Sequence, residues 1–262
     1  MNKITGIIIT LNEEKNIEAC ILSLRQICNE IIVVDSESTD KTCEIAEQLG
    51  AKVYLQPYLG DGIQKNAGLK YASNSWIFSL DADERLTPEL IDAINTLDLH
   101  NTPYWGYVVR RRNYIGSRWV RCCGWYPNYL VRLFRQDKLM YSQTKQHAAV
   151  PSDNTYKLQA DIVHYSYNNI EELFSKPARN YSTRSAKIMY LNGKKANAFS
   201  PFHHGFWAFV GNYFFRRGIL GGVDGLTLSF AIACNAYLKY AKLLEYQRDA
   251  KVRENEDFDK VW

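Results

Sequence analysis

The first hundred residues alternate short apolar runs with stretches in which apolar residues recur every three or four positions. Four runs are apolar without polar alternation: residues 4–10, 31–34, 53–55 and 76–80. Such runs are typical of parallel strands that are covered on both faces. After the first run, Ile17, Ile21 and Leu24 keep the spacing of an amphipathic helix. The pattern therefore predicts strands separated by helices.

Capping residues predict where the helices begin and end. Ser38-Thr39-Asp40 is suited to capping a helix that ends before Gly50, and Asp61 can cap a helix through about Ala72. Thr87-Pro88-Glu89 begins a further helix with proline at its first position. Strand and helix alternation of this length predicts an α/β fold, a doubly wound and mostly parallel sheet with helices on both faces.

Polar residues directly follow three predicted strands, at the edge where α/β sheets bind ligands. They are Thr10, Asn12 and Glu13 after the first strand, Asp35 after the second, and Asp81, Asp83 and Glu84 after the fourth. Two carboxylates one residue apart can hold a hard divalent cation that takes its other ligands from phosphates. A carboxylate at Asp35 can accept hydrogen bonds from a base N–H or a ribose hydroxyl. The alternative interpretation of both acidic groups is a capped, solvated loop.

Composition and cysteine usage narrow the class of protein. The chain has 262 residues, 46% hydrophobic and 23% charged, which excludes a disordered chain and a disulfide-stapled miniprotein. Its length fits one large domain, or one domain with a smaller appendage. Six cysteines without a C-x-x-C pair, and no secretory leader, predict reduced thiols in a cytoplasmic protein. Neither a P-loop nor G-x-G-x-x-G follows the first strand, so metal, lysine and arginine must meet any phosphate charge.

The net charge of +4 is distributed unevenly along the chain. Residues 1–100 hold 8 Lys/Arg against 16 Asp/Glu, whereas residues 101–175 hold 10 against 5 and residues 176–248 hold 11 against 2. An acidic first part suits a divalent metal, and a basic, aromatic later part suits phosphates, an anionic membrane or nucleic acid.

Four motifs within the first 84 residues resemble those of family 2 glycosyltransferases of the GT-A fold. They are Ile9-Thr-Leu-Asn-Glu-Glu14, Ile32-Val-Val-Asp-Ser-Glu-Ser-Thr-Asp-Lys-Thr42, Gln64-Lys-Asn-Ala-Gly68 and Leu80-Asp-Ala-Asp-Glu84. Later motifs are similar to those of lipopolysaccharide and lipooligosaccharide core β-1,4-glucosyltransferases. These are Cys123-Gly-Trp-Tyr-Pro127, Val131-Arg-Leu-Phe-Arg135, His164-Tyr-Ser-Tyr167, Asn192-Gly-Lys-Lys195 and the segment 218–225.

The resemblance implies inverting transfer of a hexose, with glucose favoured, from a UDP-sugar to a glycolipid core acceptor. It places five residues around the uridine: Thr10, Asn12, Glu13, Asp35 and Lys65. It gives Asp83 the metal, Mg²⁺ or Mn²⁺, and puts Asp81 near the ribose and a metal-bound water. Such a cation would stabilise the negative charge that develops on the departing diphosphate.

The general base departs from the family pattern. Related sequences commonly carry His-Glu after the Arg-Leu-Phe-Arg strand, but this chain has Gln146-His147-Ala148-Ala149. The catalytic candidates are therefore His147, with an imidazole suited to neutral pH, or a carboxylate from elsewhere. The carboxylates considered are Glu84, Asp137 and Asp161. His164 is a candidate for contact with metal or diphosphate, and a structural histidine is the alternative.

A basic and aromatic stretch follows the acidic first part. Seven arginines lie within residues 110–135 beside tyrosines and tryptophans. Aromatic faces suit sugar rings and arginine forks suit phosphorylated glycolipid, so we predict an acceptor groove that includes Trp125, Arg132 and Arg135. Nucleic acid is the alternative partner, but no RNA-reading signature is present.

The last third predicts a helical, membrane-associating appendage. Aromatic residues and Arg216-Arg217 precede an apolar stretch, Leu226 to Leu238, that is too short to span a bilayer. We expect it to lie in the membrane interface at the cytoplasmic face of the inner membrane; a helical hairpin packed on the sheet is the alternative.

The predicted division is a nucleotide-sugar-binding part (1–100), an acceptor-binding part (101–175) of the same domain, and the appendage (176–262). The rival functions are a sugar nucleotidyltransferase and a membrane-associated sugar-nucleotide-binding protein without transferase activity.

Overall fold

The computed structural model describes residues 2–143 and 148–255. The strands are β1 Ile4–Thr10, β2 Glu30–Asp35, β3 Lys52–Leu55, β4 Trp76–Asp81, β5 Glu84–Leu86, β6 Gly106–Ile115, β7 Arg118–Val120, β8 Asn128–Arg135 and β9 Thr155–Tyr167. The helices are α1 Ile17–Leu24, α2 Thr42–Gln48, α3 Asp61–Leu69, α4 Pro88–Asn95, α5 Ile170–Lys176, α6 Ser182–Leu191, α7 Ser200–Val210, α8 Gly222–Arg248 and α9 Ala250–Asn255.

The chain forms two compact units that interleave along the sequence. The first unit comprises the chain up to Arg112 together with Pro127–His164. The second comprises Asn113–Tyr126 and the chain from Tyr165 onward. The functional division at residues 100 and 175 remains a prediction.

The sheet confirms the α/β prediction but is mixed rather than mostly parallel. Its order is β3-β2-β1-β4-β8-β6-β9-β5, with β7 paired to β6. Strands β1 to β4 are mutually parallel, and β8 then runs antiparallel to β4. Thr10 pairs with Asp35, and Ile9 pairs with Asp81, so three of the predicted polar exits lie at one edge.

Both faces of the parallel strands are covered, as their uninterrupted apolar runs predict. On one face Ile8, Val33 and Phe78 form a core with residues of α1 and α4. On the other face Ile7, Ile32 and Ile77 form a second core, against which α3 packs. Helix α3 approaches β1 so closely that a Cβ on Gly68 would lie 2.7 Å from the Ile7 side chain.

Helix boundaries agree with the predicted signals in part. The Thr87 side chain caps α4, with proline at the first position, as predicted. Gly50 has a φ of 69°, which fits the end of α2. Helix α2 begins later than predicted, at Thr42, whose N–H donates to Asp40 Oδ1 at 3.0 Å. Helix α3 ends at Leu69 rather than near Ala72, because the chain turns with Tyr71 N–H donating to the Gly68 carbonyl at 3.2 Å.

The second unit is mainly helical, and its longest element corrects a prediction. Helix α8 has 27 residues, whereas the sequence predicts an apolar stretch of only about half that length. Charged residues such as Asp224 and Lys239 lie just outside that apolar stretch, and they do not end the helix. Among the described residues, the helical segment Gly218–Arg248 is long and apolar enough to cross a membrane by length and composition, with 28% of its most apolar window buried.

Candidate functional site

The loops after β1 and β2 are joined by hydrogen bonds in the first unit. The N–H of Asn12 donates to Ser38 Oγ at 2.7 Å, and Asn12 Oδ1 accepts from the N–H of Thr39 at 2.8 Å. The N–H of Glu13 donates to Thr42 Oγ1 at 2.8 Å. Asn12 and Glu37 both have positive φ, at 55° and 66°. Non-glycine residues are uncommon in this conformation, which persists where the surroundings hold it in place. The sheet edge therefore carries a preformed double loop.

Asp35 and Thr10 lie side by side beneath this double loop. Asp35 is fully buried, and its carboxylate accepts from the Ser38 N–H at 2.7 Å and from Ser38 Oγ at 2.5 Å. The Thr10 hydroxyl oxygen is buried without a hydrogen-bond partner among the described residues. A buried polar group without a partner is costly, so this hydroxyl is a candidate contact for a bound molecule.

Asp81 ends β4 between two buried cations. Its Oδ1 lies 2.8 Å from Lys65 Nζ on α3, and its Oδ2 lies 3.4 Å from Arg132 on β8. Burial alone would raise the pKa of Asp81, but the charges of Lys65 and Arg132 hold it well below its usual value. Burial lowers the pKa of Lys65, yet the charges of Asp81, Tyr141 and Glu84 together outweigh that effect and raise it. Both groups therefore stay ionised around neutral pH.

Glu84 is the buried centre of this ion-pair network. It is fully buried on β5, and both of its oxygens lie 2.5 Å from Arg132. Its Oε1 also lies 3.3 Å from Arg111, and its Oε2 accepts from the Asp81 N–H at 3.0 Å. Its oxygens are occupied by these donors and closed to solvent, so they are not placed to reach an acceptor hydroxyl. The geometry thus does not favour Glu84 as the predicted base.

Asp83 differs from Asp81 in its partner rather than in its exposure, because the two side chains are 26% and 28% exposed. Asp83 Oδ2 lies 3.2 Å from His164 Nε2 on β9. The described residues include no group of three or more His, Cys, Asp and Glu side chains that could hold a metal. Mg²⁺ and Mn²⁺ sites in transferases commonly use one or two protein ligands and take oxygens from substrate phosphates. Asp83 with His164 therefore fits such a cation.

The remaining base candidates are placed differently. Asp161 is 2% exposed and pairs with Arg110 at 3.0 Å and with Arg112 at 2.8 Å. Asp137 pairs with Arg135 at 2.9 Å. Arg135 ends β8 and is paired with Trp76, the first residue of β4. That is the opposite edge of the sheet from Asp81. His147 lies outside the described residues.

The two arginines predicted to bind the acceptor, Arg132 and Arg135, are not brought together. Arg132 is buried in the network around Glu84, and Arg135 lies at the far edge of the sheet beside Asp137. Neither placement supports acceptor binding, because one guanidinium is enclosed and the other is remote from Asp83. Trp125 belongs to the second unit, where its ring stacks on Tyr167 at 6.2 Å between centroids.

Sequence reasoning missed the part played by Arg111 and Arg132 in holding Glu84. The available signal was the alternation of charged and apolar residues in Val131-Arg-Leu-Phe-Arg135, which turns one arginine of a buried strand inward. A buried arginine requires an acidic partner. Glu84 lies just after the end of β4, the strand that pairs with β8, on which Arg132 lies.

Comparison with known families decides what kind of protein carries this site. The profile described as Glycosyl transferase family 2 matches residues 5–156, more than half of the chain. The chain belongs to glycosyltransferase family 2. This family 2 glycosyltransferase is a transferase with a GT-A fold, and the matched residues contain Thr10, Asp35, Lys65, Asp81, Asp83 and Glu84.

Relatives extend the match over almost the whole chain. An uncharacterized glycosyltransferase from Rickettsia felis is 36% identical over 261 residues, which cover 94% of this chain and 90% of the relative. The lipopolysaccharide core biosynthesis glycosyltransferase LpsC from Rhizobium meliloti is 30% identical over 97% of this chain and 96% of its own. Glucosyl-3-phosphoglycerate synthase from Mycobacterium tuberculosis, solved with Mn²⁺ and UDP-glucose, is 25% identical over 43% of this chain and 44% of its own, with a TM-score of 0.35.

Proposed function

We propose that this family 2 glycosyltransferase transfers a hexose, with glucose favoured, from a UDP-sugar to a lipopolysaccharide or lipooligosaccharide core acceptor, with inversion and with a divalent cation. The observation that carries the proposal is the placement of Asp83. Asp83 is a partly exposed carboxylate just after β4 that contacts His164 and, among the described residues, no buried cation, whereas its neighbours Asp81 and Glu84 are held by ion pairs with Lys65 and Arg132.

Asp83 and His164 would hold the cation, Mg²⁺ or Mn²⁺, together with the donor's phosphates. The cation supplies positive charge to the leaving diphosphate when it is bound. Asp81 stays ionised between Lys65 and Arg132 and accepts hydrogen bonds from the ribose or from a water at this edge. The network keeps that carboxylate in place, and placing charge in advance is a large part of electrostatic catalysis.

The uridine would lie on the double loop after β1 and β2. The partnerless Thr10 hydroxyl offers a hydrogen bond, and Asn12 and Glu13 shape the loop through their contacts to Ser38 and Thr42. The carboxylate of Asp35 still has lone pairs for a base N–H after its two bonds to Ser38. Lys65 contributes positive charge from behind Asp81.

Glu84 would act as a positioning residue rather than as the base. Its carboxylate accepts from the Asp81 N–H and binds Arg132 and Arg111, so it sets the course of the chain through Asp81 and Asp83. Asp161 is buried against arginines, and Asp137 pairs with Arg135 at the opposite edge of the sheet, so neither is placed to take a proton beside Asp83. His147 therefore stays the prediction for the group that takes the acceptor hydroxyl's proton, opposite the leaving group.

The acceptor and location follow from chemistry and from a relative's name. LpsC is named for lipopolysaccharide core biosynthesis, and it matches 97% of this chain. Residues 176–248 hold 11 Lys/Arg against 2 Asp/Glu, which suits the anionic cytoplasmic face of the inner membrane. In the second unit, Trp125 provides an aromatic face suited to a sugar ring.

The test is UDP release from a panel of UDP-sugars, with delipidated core oligosaccharide as acceptor, in Mn²⁺, Mg²⁺ or EDTA. We expect release from UDP-glucose that requires both acceptor and cation and that Asp83→Asn abolishes. Pyrophosphate release from UTP and a sugar phosphate would instead indicate a nucleotidyltransferase. UDP binding without release in any acceptor preparation would indicate a binding protein.

A further inference from the structure

The second unit exposes a continuous set of large apolar side chains where the chain turns from the π-helical segment Gly211–Phe215 into α8. Phe215 is 81% exposed, Leu220 78% and Val223 79%. Phe214, Ile219 and Leu226 are each about half exposed. We call these six residues the apolar turn. A set of this kind on the surface marks an interaction site rather than chance exposure.

Arginines surround the apolar turn and share a cleft with it. Trp119, Arg121, Arg217, Leu220 and Asp224 line a cleft of about 310 Å³ in the second unit. The Arg121 guanidinium stacks on the Trp119 ring, 3.8 Å from the ring centroid. This contact holds the N–H donors of Arg121 at the cleft. Exposed Arg216 is next to Arg217 in the chain.

Acidic charge does not neutralise the cleft. Asp224 is the carboxylate in its lining, and its Oδ1 lies 3.1 Å from Arg118 Nε at the rim. That ion pair leaves Arg121 and Arg217 as excess positive charge beside the apolar turn. Two arginines in one cleft suit a phosphate group, because guanidinium forks match the geometry of phosphate oxygens.

The backbone holds this arrangement in a rigid turn. Arg217 has a φ of 59°, a left-handed conformation that a side chain larger than asparagine's rarely adopts. A Cβ on Gly221 would lie 2.4 Å from Cys122 Sγ, and one on Gly225 would lie 1.8 Å from the Gly218 carbonyl oxygen. Only glycine fits these approaches, so the turn that presents Arg217 and Leu220 is tightly packed.

We propose that the apolar turn and this arginine cleft form the docking site for an anionic lipid bilayer, with a lipid phosphate in the cleft and the apolar turn in the interfacial region. The chemistry fits a bilayer because exposed apolar side chains and excess arginine lie on one tightly packed turn. A protein partner would have to bury several uncompensated arginines. The inference rests on the proposed function only in that a lipid-linked acceptor gives membrane docking a purpose.

The experiment measures binding of the purified full chain to vesicles by flotation. Vesicles of phosphatidylglycerol with phosphatidylethanolamine are compared with phosphatidylcholine vesicles, and inorganic phosphate alone is titrated by calorimetry. We expect binding to the anionic vesicles and not to phosphatidylcholine. Arg121→Gln with Arg217→Asn should weaken vesicle binding about 25-fold, at about fivefold for each basic residue near the surface. Asparagine tolerates the left-handed backbone at this position.

Phe215→Ser with Leu220→Ser tests the apolar part and should weaken binding by about tenfold or more. The matched control is Lys3→Gln with Arg25→Gln, which removes the same charge from exposed positions of the first unit and should change binding less than twofold. Equal loss in the control would show a non-specific charge effect and overturn the docking site. Binding of inorganic phosphate without vesicle binding, or dimers that the serine variants abolish, would overturn it as well.

The same preparations separate this inference from the proposed function. Transfer to delipidated core oligosaccharide needs no membrane, so the arginine and serine variants should retain it. Transfer without vesicle binding contradicts the docking site alone. Vesicle binding without transfer to any acceptor contradicts the proposed function alone.

Discussion

Two acidic groups of the first unit lie at opposite edges of the same parallel strands, and only one of them is suited to chemistry. At the edge where β2 begins, Glu30 accepts from Lys52 Nζ at 2.7 Å and from Thr5 Oγ1 at 2.7 Å. It also accepts from the Ser73 N–H at 2.8 Å and from the Ser73 hydroxyl at 2.9 Å. These donors come from the neighbouring strands β1 and β3 and from the loop before β4, so Glu30 is saturated by the fold.

Where β4 ends, the carboxylates of Asp81, Asp83 and Glu84 have different partners. Glu84 and Asp81 are held by buried cations, as Glu30 is held by its donors. Asp83 is about as exposed as Asp81, but its carboxylate contacts the His164 imidazole instead of a buried cation. The comparison teaches that an acidic residue in a loop is informative only when the fold leaves part of its coordinating capacity for a ligand.

The largest effect should come from Asp83→Asn. Removing the charge while keeping the shape should lower kcat/KM for UDP-glucose by about a thousandfold, as loss of a key electrostatic contact does. The free energy of unfolding should change little, because Asp83 is not part of the buried network. Steady-state UDP release and urea denaturation measure the two quantities.

Glu30→Gln is the matched change at the opposite edge. It should leave kcat/KM within twofold of the wild type. If Glu30→Gln and Asp83→Asn impaired transfer equally, the contrast between the two edges would be false.

Among changes to the three carboxylates where β4 ends, Glu84→Gln should lower the free energy of unfolding the most. The neutral amide leaves Arg132 and Arg111 facing each other without their shared carboxylate, and breaking a buried pair costs about 3 kcal/mol or more. Urea denaturation at pH 7 measures the loss. A variant as stable as the wild type would show that the network around Glu84 does not hold Asp81 and Asp83 in place.

His164→Asn separates a metal contact from a structural histidine. If the imidazole binds the cation with Asp83, the Mn²⁺ concentration for half-maximal transfer should rise by about tenfold or more, with kcat largely recovered at saturating Mn²⁺. Titrations of activity against Mn²⁺ measure this. An unchanged Mn²⁺ requirement combined with lower stability would assign His164 to the fold.

The smallest effect concerns stability in acid. Burial raises the pKa of Glu30, but hydrogen bonds from Lys52, Ser73 and Thr5 together have the larger, opposite effect. The net result is a pKa lowered from 4.5 to about 2. Because the folded-state pKa is depressed, the stabilisation is complete above pH 4.5 and is lost as the pH falls toward 2. Glu30→Gln should therefore destabilise the protein by about 1 kcal/mol at pH 7 and flatten its acid dependence between these values. A variant with an acid profile parallel to the wild type would assign the acid loss to other groups.

Much of the first unit was predictable because its signals are local. Apolar runs predicted β1 to β4 almost to the residue, and Thr87 with Pro88 predicted the start of α4. The later strands that make the sheet mixed could not be predicted in the same way, since antiparallel pairing such as that of β8 with β4 joins residues about 55 positions apart. The length of α8 was underestimated because polar residues that a helix tolerates look like its ends in the sequence.

The sequence predicted which strand ends meet at the candidate site, but not how the carboxylates there are paired. Strand exits brought Thr10, Asp35 and Asp81 to one edge, as expected. Which carboxylate is buried depends on where Arg111 and Arg132 come from, and both lie on strands far along the chain. Arg135 was assigned to the acceptor for its proximity to Arg132 in sequence, yet residues three apart in a strand lie about 10 Å apart and on opposite faces.

The most direct test is calorimetric titration of Mn²⁺ into the UDP-bound protein, for the wild type and for Asp83→Asn, alongside UDP release from UDP-glucose. We expect one Mn²⁺ site in the wild type, its loss in Asp83→Asn, and the loss of transfer together with it. Mn²⁺ binding that survives Asp83→Asn, or full transfer in EDTA, would contradict the claim that the end of β4 carries the catalytic cation.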